Sequence, residues 1–223
     1  MTKIDIYEIK FSVDKTVTGS ADRQILGFTD PENDSPERYS KYQEIYYDFI
    51  EGDFEMNKFS GDKVAIPTDM LSSNFLVMNG FFVSQAFVTL LEGFNICGGK
   101  YRDVYIKYLS KKKGYKFLNL IMCPNISFEE SSFFIEDEIN DEKPEEIKLS
   151  SVEDFVTSIN KLQNEKGYGF TINPKKIVLK KMYDLFKYEI SGRFLISEEL
   201  KSALEKSELS GYVIRPFKLD VFI

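Results

Sequence analysis

The sequence predicts an α+β fold, with mainly antiparallel or mixed sheets carrying three or four short helices. Three observations predict it. Residues 7–13 alternate strictly, with Tyr7, Ile9, Phe11 and Val13 on one side and Glu8, Lys10 and Ser12 on the other, the period of a half-buried strand. Short apolar runs bounded by turn residues recur along the chain, whereas periods of 3.6 persist only briefly. The third is size: at 223 residues and 25.9 kDa, folding buries about 72% of the unfolded surface. That is enough core to stand without disulfides or metal, as one continuous domain over residues 1–223.

Taken in order, the strand at 7–13 gives way to turn residues, including Gly19, Asp30-Pro31 and Ser35-Pro36. Tyr39, Tyr42, Ile45, Tyr46 and Phe49 then recur at helical spacing. Ser35 can cap this helix, Pro36 suits its first position and Gly52 can end it; a strand over 44–50 is the alternative. Residues 75–83 read as an apolar strand. Ser84 can cap a following helix with Phe87, Leu90 and Leu91 inward and Gly93 as a left-handed terminator. Strands are expected around Tyr101–Ile106 and over 115–122, with Lys111-Lys112-Lys113-Gly114 as the exposed hairpin tip between them. Residues 129–146 are strongly acidic and interrupted by Pro144, the pattern of a linker or solvent-exposed excursion that separates two sub-regions. Beyond them Ser151 can cap a helix carrying Phe155, Ile159 and Leu162, closed by Gly167-Tyr168-Gly169. Finally Leu195-Ile196-Ser197 leads into Glu198-Glu199-Leu200, with Ala203 and Leu204 continuing the apolar face. This repeats the logic of Phe82-Val83-Ser84 and its helix, although two capped helices can look alike without any duplication.

The composition mostly excludes functions. There are 36 acidic and 29 basic residues and no histidine. A net charge of −7 is wrong for gripping nucleic-acid phosphates or an anionic membrane, and imidazole chemistry is absent. Cys97 and Cys123, the only cysteines, could make at most one bridge; they read as buried thiols of a reduced compartment, with a disulfide as the alternative. The charged start of the chain lacks the apolar core of a signal peptide, so a cytoplasmic location is expected. Two thiols without histidine do not make a zinc site, no cofactor motif with correct spacing is present, and no catalytic residue emerges. An acid with lysine two residues on, Glu8 and Lys10, arises by chance at this composition and reads as the wet face of the first strand.

Three stretches carry a resemblance: Asp184-Leu185-Phe186, then the run from Gly192-Arg193-Phe194 through Glu199-Leu200, then Leu209-Ser210-Gly211-Tyr212 through Pro216. With them go Pro67 and Asp69, residues 75–91, and Tyr115, Leu118 and Asn119. In this order they resemble the immunity protein 11 family of bacterial polymorphic toxin systems, and less closely the immunity protein 43 family. The resemblance spans residues 65–122 and 177–217. It implies a cytoplasmic, non-enzymatic protein of interbacterial competition that binds and neutralises a cognate toxin in a stoichiometric complex. Its matched positions are structural and do not locate the toxin-binding surface. The alternative is a carboxylate-dependent, metal-assisted hydrolase, and a third reading is a structural partner in a larger assembly.

If the toxin is basic, acid should meet it. Between Asp30 and Glu55 nine carboxylates are interleaved with tyrosines, a composition that suits a surface capping a basic partner. The expected partner-binding residues are Tyr42, Tyr46, Asp48, Glu51 and Asp53, with Glu136, Asp137 and Glu138 as a second acidic segment.

Overall fold

The computed structural model describes residues 1–19, 23–28, 59–73, 80–108, 111–137 and 143–223, and among them the fold is α+β. In chain order the elements are β1 (Lys3–Ile4), β2 (Ile6–Phe11), α1 (Lys15–Thr18), β3 (Ile25–Phe28), β4 (Phe59–Gly61), β5 (Met70–Leu71) and β6 (Gly80–Val83). Then come α2 (Gln85–Leu91), β7 (Gly99–Tyr108), β8 (Lys111–Leu120), β9 (Ser132–Asp137), β10 (Glu145–Ile147) and α3 (Val152–Lys166). The chain closes with β11 (Phe170–Val178), β12 (Leu185–Lys187), β13 (Phe194–Ser197), α4 (Glu198–Lys206), β14 (Tyr212–Pro216) and β15 (Asp220–Phe222). They form three sheets, ordered β1-β15-β11-β9-β10, β12-β13-β2-β14 and β3-β4-β7-β8-β6-β5. Pairing is antiparallel except for β11 with β15 and β4 with β7.

Two of these sheets contain the same arrangement. Strands β5, β6, β8 and β7 are neighbours in the order in which β12, β13, β2 and β14 are neighbours, all antiparallel. The match runs without insertion from Gly80 beside Arg193 to Asp103 beside Pro216. It pairs Gly98 with Gly211, both held at positive φ, 59° and 91°. A Cβ at Gly98 would come within 2.4 Å of Ile121 and one at Gly211 within 2.1 Å of the Met70 carbonyl, so both turns require glycine. The Gly98 carbonyl accepts from Ile121 N–H at 3.1 Å, as Gly211 accepts from Ser12 N–H at 2.7 Å. The resemblance between the two capped helices is therefore a repeat of a whole four-stranded unit, and the second unit takes its third strand, β2, from the start of the chain.

The units interlock through two aspartates. Ser84 Oγ accepts from Phe87 N–H at 3.2 Å, capping α2, and donates to Asp69 Oδ1 at 2.7 Å. Ser197 Oγ accepts from Leu200 N–H at 3.1 Å, capping α4, and donates to Asp184 Oδ1 at 2.7 Å. The second oxygen of each carboxylate reaches the opposite unit. Asp69 Oδ2 accepts from Ser210 N–H at 3.0 Å, beyond α4, and Asp184 Oδ2 accepts from Asn95 N–H at 2.9 Å, beyond α2. The backbone repeats the exchange, Asp69 N–H donating to the Ser210 carbonyl and Asp184 N–H to that of Asn95. Charge-assisted bonds of this kind are the stronger class. Between the units lies a shared core in which Met70, Val83, Phe87 and Leu91 meet their counterparts Leu185, Ile196, Leu200 and Leu204. The rings of Phe81 and Phe194, also counterparts, lie 4.4 Å apart.

A second core, under the five-stranded sheet, gathers Phe133, Ile172, Ile177 and Val221 against Phe155 and Leu162 of α3. Ser151 caps α3 through Asp154 N–H at 3.1 Å, and Gly167 at φ 103° follows it, as the spacing predicts. A third, on the six-stranded sheet, centres on Phe59, Phe82, Phe117 and Val104.

Several expectations are corrected. The first strand stops at Phe11, so Val13 is 56% exposed, and Asp14 instead caps a short α1 through Thr16 N–H. Gly93 is not at positive φ; α2 closes through Glu92 N–H to the Val88 carbonyl. The three lysines are not a turn but the start of β8, because β7 is long enough to pair with them. The acidic stretch is structured where described: β9 and β10 pair with each other, and Phe133 is core. Cys97 and Cys123 are bonded to each other, with Cα atoms 6.3 Å apart, because the Gly98 turn brings the end of β8 back beside Cys97. They are not the free thiols expected, so the cysteines lend no support to a reduced compartment. The expected helix over 36–52, and its alternative strand, lie outside the described residues.

Two stability outcomes follow from this core. Leu91→Ala and Leu204→Ala, each in the shared core and about 1% or less exposed, should each lower unfolding free energy by about 2–5 kcal/mol in urea titration. An unchanged midpoint in either would mean that its helix does not pack there. Reduction of the disulfide, which spans 26 residues, should cost about 3 kcal/mol, read as a lower urea midpoint with reductant present.

Candidate functional site

The two units put different residues on the same face. In the first, Phe82 and Phe117 are paired neighbours within the third core. In the second, their counterparts are Leu195 and Glu8, with Arg215 opposite Glu8 and Val213 opposite Lys10. The other face of β2, with Ile9 and Phe11, meets Ile214 and Tyr212 in the shared core. Glu8 was read as a wet residue; it is only 8% exposed, because Leu195 and the strand partners cover it. Lys10 Nζ stands 2.9 Å and Arg193 Nε 3.7 Å from its Oε1. Neither is aligned as a hydrogen bond, and that oxygen receives none.

A cavity of about 380 Å³ is lined from both faces of β2. Glu8 lies in its lining with Lys10, Arg193 and Arg215, and Phe11, Phe81, Phe194 and Val213 supply apolar wall. Gly192, at φ 66°, makes the turn that brings Arg193 to the rim. Three cations surround one anion here, in a chain whose net charge is −7. Chemically, the lining can hold an anionic group against aromatic and aliphatic side chains.

A second cavity of about 370 Å³ lies beside the start of α3, lined by Glu189, Lys180, Glu153 and Ser151 among others. Glu189 is 6% exposed and accepts the backbone N–H groups of Asn125 and, at 2.8 Å, Ile126. Burial pushes its carboxyl above the usual range, while the two N–H groups pull the other way. Its partners make it a clamp on the chain at 125–126. Lys187, on β12, is fully buried, and burial pushes its ammonium down to about 8; it lies in the lining of neither cavity. Among the described residues no group of three or more acidic or cysteine side chains could hold a metal ion, and no helix is long and apolar enough to cross a membrane.

Of the residues expected to meet a partner, Tyr42, Tyr46, Asp48, Glu51, Asp53 and Glu138 lie outside the described residues. Asp137 is 8% exposed at the end of β9, so its carboxylate is poorly placed to greet a partner. Glu136 is half-buried and accepts from Asn173 Nδ2 at 2.7 Å. The cavity of the second unit was not foreseen. Its signal in the sequence is that Glu8 and Arg193 occupy positions filled by Phe117 and Gly80 in the first unit, legible only once the units are aligned. No protein-family model matches the chain, and no curated protein matches it in sequence.

Lys187 carries a pH prediction. Its folded pKa is depressed, so between about 8 and the unfolded value near 10.5 the unfolded chain binds more protons, and stability rises with pH. Raising pH from 7 to 10 should stabilise the parent relative to a Lys187→Met variant by up to about 3 kcal/mol. Parallel urea midpoints for both proteins would contradict the burial effect.

Proposed function

We propose that this protein is an immunity protein, a stoichiometric inhibitor that binds and neutralises a cognate toxin of a polymorphic toxin system in the bacterial cytoplasm. One observation carries the reading. The separate blocks on which the family resemblance rests, around Asp69 to Leu91 and Asp184 to Tyr212, are the two halves of a single interlocked core. Residues that resemble the family in order also meet in space, and their roles are caps, relays and core packing. That agrees with a family whose matched positions are structural.

On this reading the charge-bearing surfaces are where the partner is met. The acidic, tyrosine-rich segment with Tyr42, Tyr46, Asp48, Glu51 and Asp53 is proposed to face basic surface on the toxin, where complementary charge speeds encounter and excludes wrong partners.

The test is to sequence the neighbourhood of this gene and to express any large reading frame found there with and without this protein. Growth rescue and a 1:1 complex by calorimetry are expected. The isolated protein should turn over neither phosphoesters, esters nor nucleic acids, with or without Mg²⁺ or Mn²⁺. Absence of any complex, or metal-dependent turnover abolished by one carboxylate substitution, would overturn the proposal.

A further inference from the structure

We infer that the cavity of the second unit is a docking site for an acidic, partly apolar segment of a partner protein, a carboxylate flanked by a large hydrophobic side chain. In one respect this rests on the inhibitor reading, since the toxin is the partner proposed there, but the site's chemistry is argued from the molecule alone.

The two units contrast at this site. At equivalent backbone positions, one unit places Phe117, Asn119 and Gly80, all buried, and the other Glu8, Lys10 and Arg193. A charged side chain in a strand position that could take phenylalanine costs stability unless it is paired. Glu8 is only partly compensated, since its buried Oε1 has two cations nearby and no aligned hydrogen bond. Such a residue marks function better than packing. Its role here is positional: it holds Lys10 and Arg193 together over the cavity.

Lys10, Arg193 and Arg215 outnumber Glu8 in the lining, so the cavity is locally positive within an acidic protein. Lys10 and Arg193 have side chains 55% and 53% exposed, with donors left for an incoming carboxylate. An arginine fork suits that geometry.

Phe11, Phe81 and Phe194, from the shared core, line the cavity together with Val213 and with Val13, itself 56% exposed. An apolar lining that includes so exposed a side chain fits a segment of a larger molecule better than an enclosed small one. An aromatic or aliphatic anchor would fill the wall while its neighbouring acid meets the cations. The charge is opposite to that of the tyrosine-rich segment, so the two surfaces would meet different parts of one partner.

The experiment uses methyl NMR of the full chain, following Ile9, Val13 and Val213. The probes are the peptide acetyl-Phe-Asp-Leu-Asp-Phe-amide, its Asn-for-Asp counterpart, and phenylacetate as a free small carboxylate. Saturable shifts with the acidic peptide, at least tenfold weaker for the Asn peptide and for phenylacetate, are expected, and they should fade as salt rises. Arg193→Gln with Arg215→Gln should weaken the acidic peptide at least tenfold in a chain that is still folded at the assay temperature, with a lower thermal midpoint because Glu8 loses one of its cations. If the pair instead unfolds, Arg215→Gln alone serves as the variant, with the same loss expected. Equal shifts for the acidic and Asn peptides, no shift with any probe, or phenylacetate binding as well as the peptide would overturn the proposal. The toxin separates this from the inhibitor reading. A complex unaffected by the arginine variants sinks the docking site alone; peptide binding without any toxin complex sinks the inhibitor reading alone.

Discussion

The structure depends on two carboxylates, Asp69 and Asp184, each shared between two halves of the chain. One oxygen orients the serine that caps its own unit's helix; the other takes an N–H from the segment beyond the opposite unit's helix. Each helix cap is thereby tied to the other unit through the carboxylate that orients it. The backbone exchange at Ser210 and Asn95 follows the same path, so removing either aspartate would free donors on both sides at once. These donors are partly buried, and that of Asn95 is exposed, so the cost is that of the lost charge-assisted bonds themselves.

This interlock explains why the first strand and the last unit belong together. The second unit lacks a third strand in its own stretch of chain, and β2 supplies it from the other end. The shared core then gathers counterparts from both units, with the Phe81 ring against that of Phe194, so that two similar faces fill one space. The Cys97–Cys123 bond lies beside this seam, joining the segment beyond α2 to the chain just after β8.

Repetition of the backbone freed one copy to differ. In the first unit the face matching that of Glu8 is core, centred on Phe82 and Phe117; in the second, Ile6, Phe186 and Leu195 of the same face join another core, while Glu8, Lys10, Arg193 and Arg215 carry charge in the lining of a cavity. A face that carries ion pairs where its twin carries phenylalanine is maintained against packing energy, and that asymmetry makes it the surface of most interest in the described part of the molecule.

What could be read from sequence was local. The caps Ser84, Ser151 and Ser197, the apolar stripes behind them and the α+β class depend on neighbours a few residues away, and each appears in the structure as the spacing predicts; β2 is a strand too, but it ends at Phe11 and its alternation fails at Glu8. Contacts between distant stretches were not readable, because spacing along a chain says nothing of who arrives from elsewhere. Glu8 looked wet because alternation assigns it to the polar side; Leu195, from the far end of the chain, buries it. Cys97 and Cys123 looked like separate thiols until the turn at Gly98 set one beside the other. The cavity required both: a strand from one terminus, two arginines from the other, and a fold that lays them on one face.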